Sequence, residues 1–495
     1  MGTADLLAHL ARAALTRPPT PALIGDFAAA PDRDDYAANM STKTVLDDLV
    51  TALPAGAVVT DPDIVAGYRQ DRAFDPDAGT AMAVVRATST EDVVAAVKWC
   101  AANAIPVIPR GAGTGLSGGA TAIDGGIVLT TENMRDITVD PITRTAICQP
   151  GLLNAEVKAA VKEHGLWYPP DPSSFEICSI GGNAATNAGG LCCVKYGVTS
   201  DYVLGLEVVL ADGRAVRLGG PRLKDSAGLS LTKLFVGSEG TLGIITEVTL
   251  RLLPPQPPAS TVVGTFASVH AASEAVLAIT STIRPAMLEF MDKVAINAVE
   301  DQLKMGLDRT AGALLVAQSD APGAAGASEV EVIEQAFTTC GATEVFATTD
   351  PDEGEAFTAA RRYAIPAVEK IGPLLLEDVG VPLHKLPDLI DGIEAIAADR
   401  RVLISVIAHA GDGNTHPLIV HDPNDRDETE RANLAFGEVM DLAIRLGGTI
   451  TGEHGVGRLK KGWLPDQLGP DVIELTQRIK DALDPVGILN PGTML

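Results

Sequence analysis

His409-Ala-Gly-Asp-Gly-Asn-Thr-His416 is followed 36 residues later by Gly452-Glu453-His454-Gly455. Three histidines, a glutamate and an asparagine thus fall in two short, glycine-flexed segments of a chain that holds only 8 histidines. Two imidazoles and a carboxylate form a ligand set for a divalent cation, and a further histidine beside them is a candidate acid or base. We therefore expect His409, His416 and Glu453 to hold Zn²⁺ or another divalent metal; ligand type alone does not choose the ion. The competing reading is a set of core histidines satisfied by hydrogen bonds.

Such a cluster needs elements that bring its members together. His409 and His416 are seven apart, and on one straight strand an odd spacing would put them on opposite faces. Gly411-Asp-Gly-Asn414 has turn chemistry and is flanked by strand-like Val402–Ala408 and Leu418–Val420, so a turn there can carry both imidazoles to one end of a sheet. Glu453 follows a helix over Glu430–Leu446 that breaks at Gly447-Gly448, and then a strand-like Gly448-Thr-Ile-Thr451.

Three glycine-rich loops lie upstream. Arg110-Gly-Ala-Gly-Thr-Gly-Leu-Ser-Gly-Gly119 contains a formal GxGxxG at Gly113, Gly115 and Gly118. The dinucleotide reading of that pattern needs a strand before it and a helix after it. Ile105–Arg110 supplies the strand, but a second strand, Ile127–Thr130, follows instead of a helix, so the NAD-type reading fails. Backbone N–H groups of such a loop can still turn inward and cradle a pyrophosphate. Ser179-Ile-Gly-Gly-Asn-Ala-Ala-Thr-Asn-Ala-Gly-Gly190 and Gly237-Ser-Glu-Gly-Thr-Leu-Gly243 offer the same. Three of them within about 130 residues argue for an anion site over unrelated tight turns.

A chain of 495 residues is too long for one core, and 46% hydrophobic content excludes general disorder. A net charge of −26 argues against nucleic acid and against an anionic membrane surface. No apolar run approaches the roughly 18 residues that span a bilayer. Six cysteines without a CxxC pair or a signal-peptide pattern fit a reducing cytoplasm, with peripheral membrane contact left open. Cys192-Cys193 reads as two small core residues before a redox element.

Residues 1–39, rich in Ala, Pro and Asp, read as a mobile extension with a short helix at Leu6–Leu15, and Met40 is an alternative start. Helices are expected from Thr90 and over Asn154–Glu163, and strands at Leu206–Leu210, Gly243–Leu252 and Leu314–Gln318. Pro254-Pro-Gln-Pro-Pro258 is the clearest linker. The resulting division is 1–39, 40–256, 257–470 and a tail, 471–495.

Several motifs in fixed order resemble one family. They are Pro109-Arg-Gly-Ala-Gly-Thr-Gly-Leu-Ser-Gly, Pro170-Asp-Pro-Ser-Ser, Ser179-Ile-Gly-Gly-Asn, Gly237-Ser-Glu-Gly-Thr-Leu-Gly, the two histidine segments and Leu489-Asn-Pro-Gly. From about Val45 to Leu495 the chain resembles the FAD-linked oxidoreductases of the vanillyl-alcohol oxidase class, in their D-2-hydroxy-acid dehydrogenase branch. The resemblance implies an α+β fold: a two-subdomain PCMH-type FAD-binding domain, an antiparallel-sheet-and-helix cap domain carrying the metal, and a C-terminal segment returning to the FAD domain. It places FAD against Pro109, Arg110, Gly111, Ala112, Gly113, Thr114 and Gly115; Pro170 and Ser174; Ser179, Gly181, Gly182, Asn183, Gly189 and Gly190; Glu239, Gly240, Gly243 and Ile245; and Asn490. Thr114 stands about where some relatives carry a flavin-linking histidine, so the FAD is expected to be non-covalent. The metal assignment matches the family's motif positions.

The implied reaction is oxidation of a D-2-hydroxy acid such as D-lactate or glycolate. His454 is the candidate base, since imidazole takes a proton near neutral pH. Asn414 is expected to hydrogen-bond the substrate or orient a ring. Arg361 is expected to clamp the carboxylate, with Arg362 the rival. The 2-hydroxyglutarate branch has a lysine where Pro373-Leu-Leu-Leu-Glu-Asp-Val-Gly-Val-Pro382 shows leucines, which favours a monocarboxylate over D-2-hydroxyglutarate. The electron acceptor is a quinone, an electron-transfer flavoprotein, a cytochrome, a partner subunit or O₂, and a homodimer is one assembly open to the chain. A metal-dependent hydrolase is the competing function; it explains the histidines and leaves the glycine loops without a ligand.

Overall fold

Near-continuous apolar runs such as Ala83-Val-Val and Ile127-Val-Leu are the pattern of strands covered on both faces. In the computed structural model, which describes residues 42–495, they sit at the centre of the first of three sheets. That sheet orders β1 (Val58–Val59), β2 (Ala83–Arg86), β3 (Val107–Arg110) and β4 (Ile127–Thr130) as β1-β2-β4-β3. Its β2-β4-β3 core is parallel. The connection from β2 to β3 is the helix Thr90–Asn103, capped by the Ser89 hydroxyl on the Asp92 N–H at 3.2 Å. Val93, Ala96, Val97 and Cys100 on its inner face are fully buried.

The second sheet is antiparallel, in the order β5-β6-β9-β7-β8. Its members are β5 (Ile137–Asp140), β6 (Thr145–Cys148), β7 (Val203–Val209), β8 (Ala215–Gly219) and β9 (Ile244–Arg251). Pro254–Pro258 follows β9 and leads into the third sheet. There β10 (Ser260–Phe266), β11 (Met287–Asp292), β12 (Ala313–Ser319), β13 (Ala342–Thr348), β14 (Leu374–Leu376), β15 (Val379–Gly380), β16 (Leu403–His409) and β17 (Asn414–Val420) pair antiparallel. The path is β13-β10-β12-β11-β16-β17-β14, with β15 also on β17.

Strand periodicity divides this sheet between two cores. Val262, Leu315 and Phe266 face the helices Val269–Thr280, Ala324–Thr339, Leu386–Arg400 and Arg426–Arg445. Their neighbours Val263, Leu314 and Val316 face Lys293–Leu303 and Ala364–Val368 on the other side. Phe266 and Phe337 meet edge to face at 5.5 Å; full burial of each ring stabilises by roughly 1.5–3 kcal/mol.

The tail runs beside β3. The Val107 N–H donates to Ile488 O at 2.8 Å, and the Asn490 N–H donates to Val107 O at 2.9 Å. The expected α+β architecture with a returning C-terminal segment is therefore present, with one parallel sheet in it. Two local expectations change. The second glycine loop winds into a short helix, Ile180–Thr186, because the Ser179 hydroxyl caps the Gly182 N–H. Gly448–Thr451 is not a strand; only Thr449 bridges to Gly380. The helix expected at Leu6–Leu15 and the extension 1–39 lie outside the described residues. Among the described residues no helix is long and apolar enough to cross a membrane.

Candidate active site

The hairpin β16–β17 solves the spacing of the first two histidines. Gly413, at φ +83°, lets the chain reverse between them, which an L side chain would resist. His416 pairs with Ile407, and His409 is two residues beyond Ile407 on the same strand, so both imidazoles share one sheet face. His409 Nε2 and His416 Nε2 lie 3.1 and 3.2 Å from the same oxygen, Glu453 Oε1. The three ligand atoms lie within 4.8 Å of one another, close enough to share one ion, and Asp378, His416 and His454 form a second group of the same kind. Behind His409, Glu289 of β11 meets Nδ1 at 2.9 and 3.0 Å with both oxygens. Nδ1 therefore donates to Glu289, the carboxylate–histidine pairing found at metal centres. Burial opposes charge on the ring, but Glu289 and Glu453 outweigh it and hold its proton affinity well above the usual range, so Nε2 also carries a proton toward Glu453, the proton a bound cation would displace. The donor set and its buried supporting carboxylate fit a divalent cation.

His454 stacks on His416, with centroids 4.8 Å apart and planes 12° from parallel. Its segment hangs on the buried Asp378. Oδ2 of that carboxylate accepts from the N–H groups of Gly452, Glu453 and His454 at 2.9, 3.0 and 2.8 Å, and from the Thr451 hydroxyl at 2.7 Å. Burial disfavours charge on Asp378, but the neighbouring His454, Lys460 and His416 outweigh it and hold the carboxyl well below its usual range. Burial pushes the His454 imidazole down to about 4, against the pull of Asp378, so it stands neutral near pH 7. On the far side of the segment, Glu239 accepts from Val456 N–H at 2.7 Å and Gly457 N–H at 2.8 Å.

A cavity of about 360 Å³ opens in front of these groups. Pro109 through Gly115 line it, as do Ser174, Ser179, Gly181, Gly182, Asn183, Glu239, Gly240, Gly243 and Ile245. His416, Glu453 and His454 close its far wall. The first two glycine loops touch: Ser179 Oγ accepts from Ala112 N–H and from Gly182 N–H, each at 3.3 Å. A Cβ at Gly111 would stand 2.4 Å from that oxygen. Gly111→Val should therefore force the loops apart and weaken flavin retention by about 10- to 100-fold, the usual cost of overpacking. Titration of the flavin-free variant with FAD checks this, and wild-type affinity would show that the cradle lies elsewhere.

Other expected residues stand apart from this cavity. Pro170 instead accepts from Asn154 Nδ2 at 3.2 Å. Gly189, Gly190 and His409 face a second cavity, on the other side of Glu453. Asn490 ties the first and third loops together, donating from Nδ2 to Gly119 O at 2.8 Å and Glu239 O at 2.7 Å. Asn414 also borders the second cavity, and its Nδ2 donates to Asp378 Oδ1 at 3.0 Å. Arg361 is 1% exposed with Nη2 2.9 Å from Glu289 Oε2, whereas Arg362 lines the flavin-side cavity. One helical step, about 100°, sends the two side chains to different faces. Sequence reading missed Glu289 and Asp378. A lone acid inside the apolar run Met287-Leu-Glu-Phe-Met291 was the available signal for the first; Asp378 gave none.

Comparison with known proteins follows the same outline. Residues 81–219 match the FAD binding domain family, and residues 256–494 match the C-terminal domain of the FAD linked oxidases. Glycolate oxidase subunit GlcD of Bacillus subtilis is 42% identical over 83% of this chain and 88% of its own length. D-lactate dehydrogenase of Archaeoglobus fulgidus is 36% identical, covering 85% and 93%. The crystal structure of p-cresol methylhydroxylase with substrate bound superposes with a TM-score of 0.76 at 18% identity, covering 91% of this chain and 96% of that one.

Proposed function

The chain belongs to the FAD-linked oxidases, together with a glycolate oxidase subunit and D-lactate dehydrogenases, and from that premise we propose that it oxidises a small D-2-hydroxy acid, such as D-lactate or glycolate, to the 2-oxo acid. The observation that carries this reading is the convergence of His409, His416 and Glu453, of which His416 and Glu453, with His454, stand on the wall of the cavity formed by the glycine loops.

The glycine loops would hold FAD without a covalent link, and it would supply an acceptor for the C2 hydrogen as hydride. His409, His416 and Glu453 would hold a divalent ion, which would supply Lewis acidity toward the substrate hydroxyl and carboxylate. The protein's own groups do the rest. In this reading Nε2 of His454, 3.8 Å from Glu453 Oε1 at the metal ligands, takes the hydroxyl proton, while Nδ1 lies 4.0 Å from Asp378 Oδ2 without a hydrogen bond. Asp378 positions the imidazole through the backbone of its own segment. Glu289 holds His409 by Nδ1 and so keeps Nε2 toward Glu453.

Arg362, which lines the cavity, takes the role of carboxylate clamp in this reading, whereas Arg361 is buried against Glu289 away from it. Arg362→Lys should raise KM for the acid about tenfold or more with an unchanged flavin spectrum, in line with loss of a charged hydrogen bond. A larger KM effect from Arg361→Lys, whose Nε and Nη2 have no hydrogen-bond partner, would move the clamp to that residue.

Part of the cavity wall beside Arg362 is apolar. Leu376, Ile365 and Pro366 line the cavity, and Leu376 lies in the leucine run that replaces the lysine of the 2-hydroxyglutarate branch. A second carboxylate would meet no lysine there, so a monocarboxylate fits better. A metal-dependent hydrolase would use the triad and leave the three-loop cavity without an occupant.

A further inference from the structure

Two hollows flank the histidine–glutamate triad. The flavin-side cavity meets it at His416 and Glu453; a second, of about 530 Å³, meets it at His409 and Glu453. Glu453 is the shared wall. The two hollows differ in charge. Arg72, Arg110 and Arg362 line the first, and among the described residues no lysine or arginine lines the second. Its polar wall is Asp412, Glu453, Asn414, His409 and the Cys193 thiol, and Asn414 Oδ1 has no hydrogen-bond partner. Asp412 and Gly452 on this wall are exposed to solvent.

We propose that the second cavity is the route by which the divalent cation reaches and leaves its ligands, while the flavin and the hydroxy acid take the arginine-lined side. This rests on the metal reading of the triad. An anionic acid entering the second cavity would meet Asp412 and Glu453 with no lysine or arginine beside them, whereas a divalent ion is drawn toward them. The ligand His409 is reached from that side, so loading does not require the flavin to leave. Cys193 and Asn414 offer donor atoms along the way.

The test is stopped-flow uptake of Zn²⁺ by metal-stripped protein, followed with a chromophoric zinc chelator, in FAD-loaded and FAD-free forms. The expected result is the same uptake rate in both, falling as salt is raised. Asp412→Lys should slow uptake about tenfold, within the range of electrostatic steering, and leave the flavin spectrum unchanged. Asp412→Asn, which keeps the side-chain acceptor for the Asn414 N–H (3.2 Å), should slow it less and blunt the salt dependence. Uptake blocked by bound FAD, or unaffected by Asp412→Lys, would overturn the route. No uptake by either wild-type form is a separate result, and it would overturn the metal reading beneath the proposal.

Discussion

His454→Ala should keep its yellow flavin and lose turnover by about 10²- to 10⁴-fold, the usual contribution of a positioned general base. Three features make the loss selective. The imidazole lines the flavin-side cavity, whereas the flavin cradle is built from glycine backbone on other loops. Its segment is held by main-chain N–H groups on Asp378 and Glu239, which alanine leaves in place. Its depressed proton affinity comes first from burial, so the base form is present near pH 7 without help from solvent. Single-turnover bleaching of the bound flavin separates chemistry from reoxidation; near-normal bleaching would remove His454 as the base.

His409→Ala should lose metal and activity together, with affinity for the ion lowered by at least about 100-fold, since even supporting partners of a ligand are worth 10- to 100-fold. The loss is compounded by what the histidine leaves behind. Glu289, buried, and Glu453, half-buried, now face each other's charge with one imidazole fewer between them. Chelator-treated wild type should show the same inactivity and recover on adding Zn²⁺, while the variant should not. Metal analysis and activity on the same dialysed samples check this; unchanged metal content would mean a different ligand set.

The sequence made the site legible where chemistry is local. The turn residues Gly411–Asn414 announced a reversal, and the reversal put His409 and His416 on one face. The glycine loops announced a cradle, and residues of all three line one cavity, where the first two loops pack so closely that a Cβ at Gly111 would meet Ser179 Oγ. What stayed hidden depends on distant pairing. Glu289 reaches His409 only because β11 lies beside β16, a neighbour relation between strands more than 100 residues apart. Asp378 looks like any acid after a leucine run until the 451–454 backbone folds onto it. Arg361 and Arg362 differ by one helical step, and the sheet against which their helix packs decides which one faces the cavity. The parallel order of the first sheet was not readable either, since buried strands carry no direction in their apolar pattern.

The most direct test is the anaerobic visible spectrum of the purified protein, with D- and L-2-hydroxy acids added in turn. A flavin spectrum that bleaches with achiral glycolate or a small D-monocarboxylate, and not with an L-2-hydroxy acid or with D-2-hydroxyglutarate, is the expected result. A protein that stays colourless after FAD is added, or a yellow one that neither glycolate nor any D-2-hydroxy acid bleaches, would contradict it.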